Sequence, residues 1–353
     1  MAALPQAVLD NAANAALDFF MKKKLYNQHI QDKPLLKALR AGEKEFPGGK
    51  GKIVLNPVFE TQSQLEGFQG DDTLSFTNPT PIKKAEYVWK MQHLGIQMTT
   101  EELLIDGISI VDTNGENTSN HSGRDITVIQ NILETKLNDA SEGFADGMNN
   151  MLWLDGTQDT KDVPGIQYLI AENPTVGVVG GIDRALVPLW RNLARTAAAG
   201  AAGGQGVVTP NTATSNLLRT MQKDVRALRR YGNPKLLILA GSAFMDALED
   251  EAYAKGTLTQ TGFGEKTEVG IGQLNIRGLG TVQYDPTLDA LGKSKFCYMI
   301  DMNAIKLHPI AGENMKRHNP ARPHDKMVIY KSITWAGGLA MSQANTSEVI
   351  ELA

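Results

Sequence analysis

Apolar residues recur at helical spacing most strongly between residues 124 and 154. Ile126, Ile129, Leu133, Leu137, Ala140, Phe144, Met148 and Met151 follow one another at steps of three or four, which sets them on one face of an α-helix. At 1.5 Å per residue such a helix is on the order of 40 Å long. Ser122 or Asp125 can cap its start, Asp155-Gly156 ends it, and Gly143 and Gly147 leave room on it for close packing or a slight bend. The same spacing through Val8, Leu9, Ala12, Ala15, Ala16, Phe19 and Phe20 predicts a helix over residues 5–26, with Lys22, Lys23 and Lys24 as its solvated, dipole-matched last turn. A shorter helical piece is expected from Lys33 to Arg40. Further on, Thr209 to Thr212 opens a helix whose stripe is Leu218, Met221, Val225 and Leu228. Lys223, Arg226, Arg229 and Arg230 fill its later turns, and Gly232 with Pro234 stops it.

Strand signals alternate with these helices. Residues 52–55 and 85–91 read as two strands. The polar, Gly- and Pro-interrupted stretch between them is too long for an ordinary connection, and a two-stranded ribbon is marginal alone, so it is expected to lie on a neighbouring subunit. Leu236–Leu239 is a short, fully apolar strand, followed by a helix over 243–255 with Ser242 as its cap. Residues 257–281, rich in Gly and Thr, predict a projecting hairpin, and 281–284, 296–300, 327–330 and 333–339 supply further strands. The Ala/Gly run 197–206 reads as a flexible surface loop. This strand–helix alternation marks an α/β layer in the second half of the chain.

Composition changes the picture only by exclusion. With 42% hydrophobic and 21% charged residues in 353, the chain is globular in composition, with enough length for one large core or two smaller ones. A net charge of -4 gives no basic excess of the kind that marks a dedicated nucleic-acid binder, although it leaves room for a protein that encloses nucleic acid. The single cysteine, Cys297, sits in an apolar run and reads as a buried thiol, so no internal disulfide and a reducing compartment are expected. No apolar run of about 18 residues and no signal-peptide pattern is evident.

Candidate chemistry is sparse. His29, His93, His121, His308, His318 and His324 make no helical metal-ligand pairing, and the last three read as a solvated, proline-rich loop. Ser242 lies at a strand–helix junction without the Gly-x-Ser-x-Gly elbow. Glu101-Glu102 and Asp71-Asp72 fit a helix start and a loop tip. The stretch from Asp155 to Asp159 lacks the terminal glutamate of a calcium loop, and the glycines of 200–206 lack the Lys and Ser/Thr of a phosphate cradle. No catalytic, cofactor-binding or metal-binding residue is assigned.

The most informative segment is Gly180-Gly181-Ile182-Asp183-Arg184 followed by Trp190-Arg191-Asn192. Two glycines permit a tight bend, the tryptophan brings a large apolar face, and each arginine can make several hydrogen bonds. Locally this is a turn with a buried tryptophan. Together with the order of arm, long two-stranded loop, very long helix, α/β region and closing strands, it resembles the major capsid proteins of tailed bacteriophages.

That resemblance implies an α+β fold of the Hong Kong 97 type. Its parts are an N-terminal arm over 1–49, an extended loop over 50–90 and a peripheral domain over 91–179 with the spine helix 124–154. An axial α/β domain over 180–295 follows, and C-terminal strands over 296–353 return to the peripheral domain. By the same resemblance, Asp183, Arg184, Trp190 and Arg191 form a joint between domains or subunits, and Phe68, Asp71 and Asp72 make extended-loop contacts. Expected partners are other copies, as pentamers and hexamers, with a separate scaffolding protein, portal and decoration proteins. Double-stranded DNA is enclosed without sequence-specific binding and no membrane is involved. The expected role is a non-enzymatic structural one in the virion, assembled in the host bacterial cytoplasm. Two other readings stay open on sequence: an encapsulin-like nanocompartment shell, and a two-lobed α/β enzyme.

Overall fold

The computed structural model describes residues 31–49, 51–58, 65, 67, 69–70, 83–99, 139–254, 273–276, 280–318 and 328–353. Residues 33–353 belong to one compact unit. The expected helix over 5–26, residues 124–138 of the long helix with its candidate caps, and most of the 257–281 hairpin lie outside the described residues, as do Glu101, Glu102 and His324.

The chain enters this unit through α1 (Pro34–Ala41), where proline at the first turn needs no hydrogen-bond partner and Leu35, Leu36 and Leu39 are buried. Strands β1 (Lys52–Leu55) and β2 (Ala85–Val88) pair antiparallel, and after Trp89 the chain continues as β3 (Lys90–Thr99). The long helix, α2, is described over 139–153 and buries Phe144, Met148 and Met151, as its stripe requires, together with Leu152 and Trp153. Then follow α3 (Ile166–Leu169), the short strands β4 (Val178–Val179) and β5 (Ile182–Asp183), β6 (Leu193–Arg195), and α4 (Ala197–Ala201). Of the loop expected over 197–206, the first half is a short helix, started by the Thr196 hydroxyl, which accepts from Ala199 N, and 202–206 is irregular.

The second half holds α5 (Asn216–Leu228), β7 (Leu236–Ala240) and α6 (Ser242–Ala254), then β8 (Gln273–Ile276), β9 (Gly280–Tyr284) and α7 (Pro286–Ala290). It closes through β10 (Phe296–Asp301), β11 (Ile305–Pro309), β12 (Lys316–Arg317), β13 (Val328–Met341) and β14 (Glu348–Glu351). Two larger sheets emerge among the described residues. One has the order β6-β14-β10-β7-β9-β8; in the other β13 pairs β11, β12 and β3.

This pairing corrects several sequence expectations. Residues 296–353 do not stay together: β10 and β14 lie inside the six-stranded sheet beside β7, whereas β11, β12 and β13 join β3 in the other. The strands expected at 327–330 and 333–339 are one continuous strand, since Lys331 and Ser332 pair across to Ile96 and Gly95. His308 is no loop residue; it is 7% exposed on β11, and burial pushes its imidazole below the ordinary 6.5. Ser242 does not cap α6 with its side chain. Its own N–H is capped by the Asp289 carboxylate at 2.9 Å. The base of the two-stranded ribbon lies on this chain itself, with Ile53, Ala85 and Tyr87 buried and the Tyr87 hydroxyl donating to Met341 O at 2.8 Å. Gly338 explains how closely it docks, because a Cβ there would sit 2.7 Å from Val88 O.

The six-stranded sheet separates two apolar clusters by alternation along its strands. Ile238, Ala240, Cys297, Met299 and Ile350 face α5 and α6, where Met221, Val225, Phe244 and Leu248 cover them. Leu239, Tyr298 and Val349 face the other way, into a cluster that also holds Trp153, Trp190, Trp335 and Leu339 of the second sheet. Burial pushes the Cys297 thiol well up, which removes it as a nucleophile at neutral pH.

One buried charge group stands out. Arg195 on β6 grips Asp224 of α5 through two bonds, the second at 2.7 Å, while its Nε lies 3.9 Å from a Glu348 oxygen. Glu348 is fully buried, and burial, reinforced by the nearby Asp224 carboxylate, pushes its carboxyl well above 4.5. The folded state therefore keeps a proton that the unfolded chain releases above its ordinary value. Stability from this group is complete below about pH 4 and declines as pH rises towards the raised folded value, by at most about 1.4 kcal/mol per pH unit. Glu348→Gln, neutral in both states, should flatten the fall in urea midpoint that begins above about pH 5; an unchanged slope would show that the decline has another source.

Candidate functional site

The segment singled out on sequence folds into a small hydrogen-bonded knot. β4 and β5 pair with Val178 opposite Asp183 and Val179 opposite Ile182, leaving Gly180 and Gly181 as a two-residue turn. Both glycines have positive φ, 60° and 77°, the conformation that such a tight hairpin demands. Gly180 also permits a close approach, since a Cβ on it would meet the Tyr87 ring at 3.0 Å, and its carbonyl accepts from Glu86 N at 2.9 Å. The turn is thereby fastened to the base of the β1–β2 ribbon.

The side chains after the turn hold the knot from within. The Asp183 carboxylate accepts from Ala185 N at 2.8 Å. Arg184 is 1% exposed, and its guanidinium donates to Leu169 O, a carbonyl that the end of α3 leaves without an intrahelical partner. Among the described residues no carboxylate pairs with this arginine and its Nε has no hydrogen-bond partner; burial pulls its pKa down to about 10. Trp190, also 1% exposed, donates from Nε1 to Val179 O at 3.0 Å. Arg191 spans two carbonyls, Arg184 O at 2.7 Å and Ala185 O at 2.9 Å. Asn192 pairs with both backbone groups of Ala171, at 3.2 and 2.9 Å.

Asp183, Arg184, Trp190 and Arg191 therefore lie together in this knot. Phe68, Asp71 and Asp72 lie outside the described residues. Sequence reasoning missed the polar links that lock the end of α2 to the six-stranded sheet. Trp153 Nε1 donates to Asp285 Oδ2 at 3.1 Å, and Asn149 Nδ2 to Thr287 Oγ1 at 2.7 Å. It also missed Glu251, whose carboxylate accepts from Asn211 N, Leu217 N and Leu218 N at 2.7–3.0 Å. The last acid of the run Glu249-Asp250-Glu251 gives no sign, on sequence, of a partner so distant along the chain.

As chemistry the knot offers backbone carbonyls and amides, a buried cation and the Asp183 carboxylate, which is held by Ala185 N. An open groove of about 300 Å³ elsewhere, between β3 and α2, is lined by Gln92, His93, Phe144, Met148 and Asp162 among others. Among the described residues no three His, Cys, Asp or Glu side chains gather as metal ligands, and no helix is long and apolar enough to cross a membrane.

No protein-family model and no curated protein matches the sequence. Solved structures do match, along nearly the whole chain. The capsid asymmetric unit of cyanophage A-1(L) superposes with a TM-score of 0.64 at 15% identity, covering 93% of this chain and 94% of that one. The capsid of an empty GTA particle, computed with C5 symmetry, gives 0.55 at 10% identity over 93% and 100%. The capsid of cyanophage Pam1 gives 0.54 at 11% over 94% and 95%. The chain has the Hong Kong 97-type capsid fold. Within that fold, the knot is the passage from α2 and α3 into the first strand of the six-stranded sheet.

Proposed function

We propose that this chain is a phage major capsid protein, a non-catalytic shell subunit that assembles with its own copies into pentamers and hexamers. The observation that carries the reading is the likeness to the cyanophage A-1(L) capsid chain across 93% of this one, end to end rather than through a shared module. In this reading α2 and the β13 sheet form the peripheral part and the six-stranded sheet with α5 and α6 forms the axial part. The knot at Asp183, Arg184, Trp190 and Arg191 joins them, supported by its bonds to α3 on one side and its lead into β6 on the other. Residues 50–90 reach a neighbour from a base anchored on this chain, and double-stranded DNA fills the interior without base-specific contact. A scaffolding protein, portal and decoration proteins are the partners that such a shell calls for, with assembly in the host cytoplasm and residence in the virion.

Negative-stain microscopy of the purified full chain, with scaffold supplied if needed, tests this. Rings and closed shells are expected; small discrete oligomers under every assembly condition would overturn the reading. Deleting residues 60–80 should leave a folded protomer, with its circular dichroism intact, that no longer closes into shells. Normal particles from that deletion would remove the loop from the assembly contact.

A further inference from the structure

The exposed face of α5 is a row of cations. Arg219, Lys223, Arg226 and Arg230 recur at steps of four, three and four, all solvent-exposed, with exposed Arg229 beside them. Beyond a bond from Arg226 to its own helix and the stacking of Arg230 near Tyr231, they are uncommitted, and none forms an ion pair among the described residues. The acid of that helix, Asp224, is buried against Arg195 and offsets none of this surface charge.

The neighbouring helix carries the opposite sign. Asp246 and Asp250 are exposed one turn apart on α6, with half-buried Glu249 between them, and they too form no ion pair. Both helices cover the same face of the six-stranded sheet and meet where Glu251 of α6 takes the first N–H groups of α5. Asp224 ties α5 to the β6 edge, whereas the start of α6 is tied through Ser242 N to Asp289, beyond β9. One layer thus presents a basic flank on α5 and an acidic flank on α6, with no ion pair between the two among the described residues.

We propose that these flanks are the two halves of one contact between copies of this chain: basic α5 of one subunit against acidic α6 of the next. The proposal rests on the shell reading above. Two different patches that complement each other make a heterologous contact, and such contacts close into rings when the rotation permits. Exposed charges contribute little affinity singly, but they steer encounter, fix register and reject wrong orientations. A duplex of DNA would account for the α5 row alone, and it would be repelled by the acids of α6 next to it.

Charge reversal in the full chain tests the contact. Lys223→Glu with Arg226→Glu, or Asp246→Lys with Asp250→Lys, should each slow ring formation roughly tenfold or more at low salt. Both pairs together should restore assembly. An equimolar mixture of the two single-patch variants makes a sharper case. There every favourable contact joins unlike copies, so copies must alternate around a ring; six-membered rings should form and five-membered rings should not. Circular dichroism and thermal midpoints verify folding, and the milder Lys223→Gln with Arg226→Gln should slow assembly and weaken its salt dependence if the reversal misfolds. Assembly of either reversed variant at the wild-type rate overturns the contact and leaves the shell reading standing. Absence of rings and shells from the wild-type chain overturns the shell reading itself. Normal assembly of the basic-patch variant with less co-purified DNA assigns the row to phosphates and also overturns the contact.

Discussion

Trp190→Ala should lower the unfolding free energy by about 3–5 kcal/mol, the range for removing a large aromatic side chain from a packed interior. The indole is 1% exposed and belongs to the cluster that links both larger sheets. Its loss leaves a cavity and strips Val179 O of a donor, at the strand that positions the Gly180-Gly181 turn. Trp190→Phe separates the two effects: it keeps much of the volume and loses the hydrogen bond, so it should cost about 1–3 kcal/mol. Urea unfolding of the full chain gives both numbers, and an unchanged midpoint for the alanine variant would place this side chain at the surface.

Glu251→Ala is expected to be of similar size, about 3–5 kcal/mol, for a different reason. A helix leaves its first N–H groups without partners, and here the first turn of α5 has no side-chain cap of its own. Ser215 at the cap position has φ 49°, and its hydroxyl has no hydrogen-bond partner. Glu251 substitutes from α6, taking three backbone donors with one fully buried carboxylate. Truncation strands buried donors, each at a cost of about 1–3 kcal/mol. Glu251→Gln still offers one oxygen but turns an amide towards the remaining N–H, so it should fall between wild type and alanine. Equal stability of glutamine and alanine variants would show that the charge, not the geometry of acceptance, does the stabilising.

What could be read from the sequence was what the local period encodes. The α5 stripe of Leu218, Met221, Val225 and Leu228 is buried as spaced, and Leu236–Leu239 forms the heart of β7. The knot was legible as a turn with a buried tryptophan because Gly-Gly carries its conformation in its own chemistry. Strands β11 and β14 were not legible. Ile305–Pro309 mixes a lysine, a histidine and a proline, and Glu348–Glu351 begins and ends with acids; each becomes a strand by pairing with a partner far along the chain. The same holds for Arg195, Asp224 and Glu348, ordinary charged residues until the fold brings them together. Arg184 was legible as a hydrogen-bonding residue, but not its partner, a carbonyl at the end of α3.

Strand β10 sends Cys297 and Met299 to one apolar cluster and Tyr298 to the other. A slip of one residue in its pairing would exchange these side chains and spoil both interiors at once. If the chain is the shell subunit proposed above, a copy in the wrong register is rejected while it is still a single molecule, before it meets any neighbour.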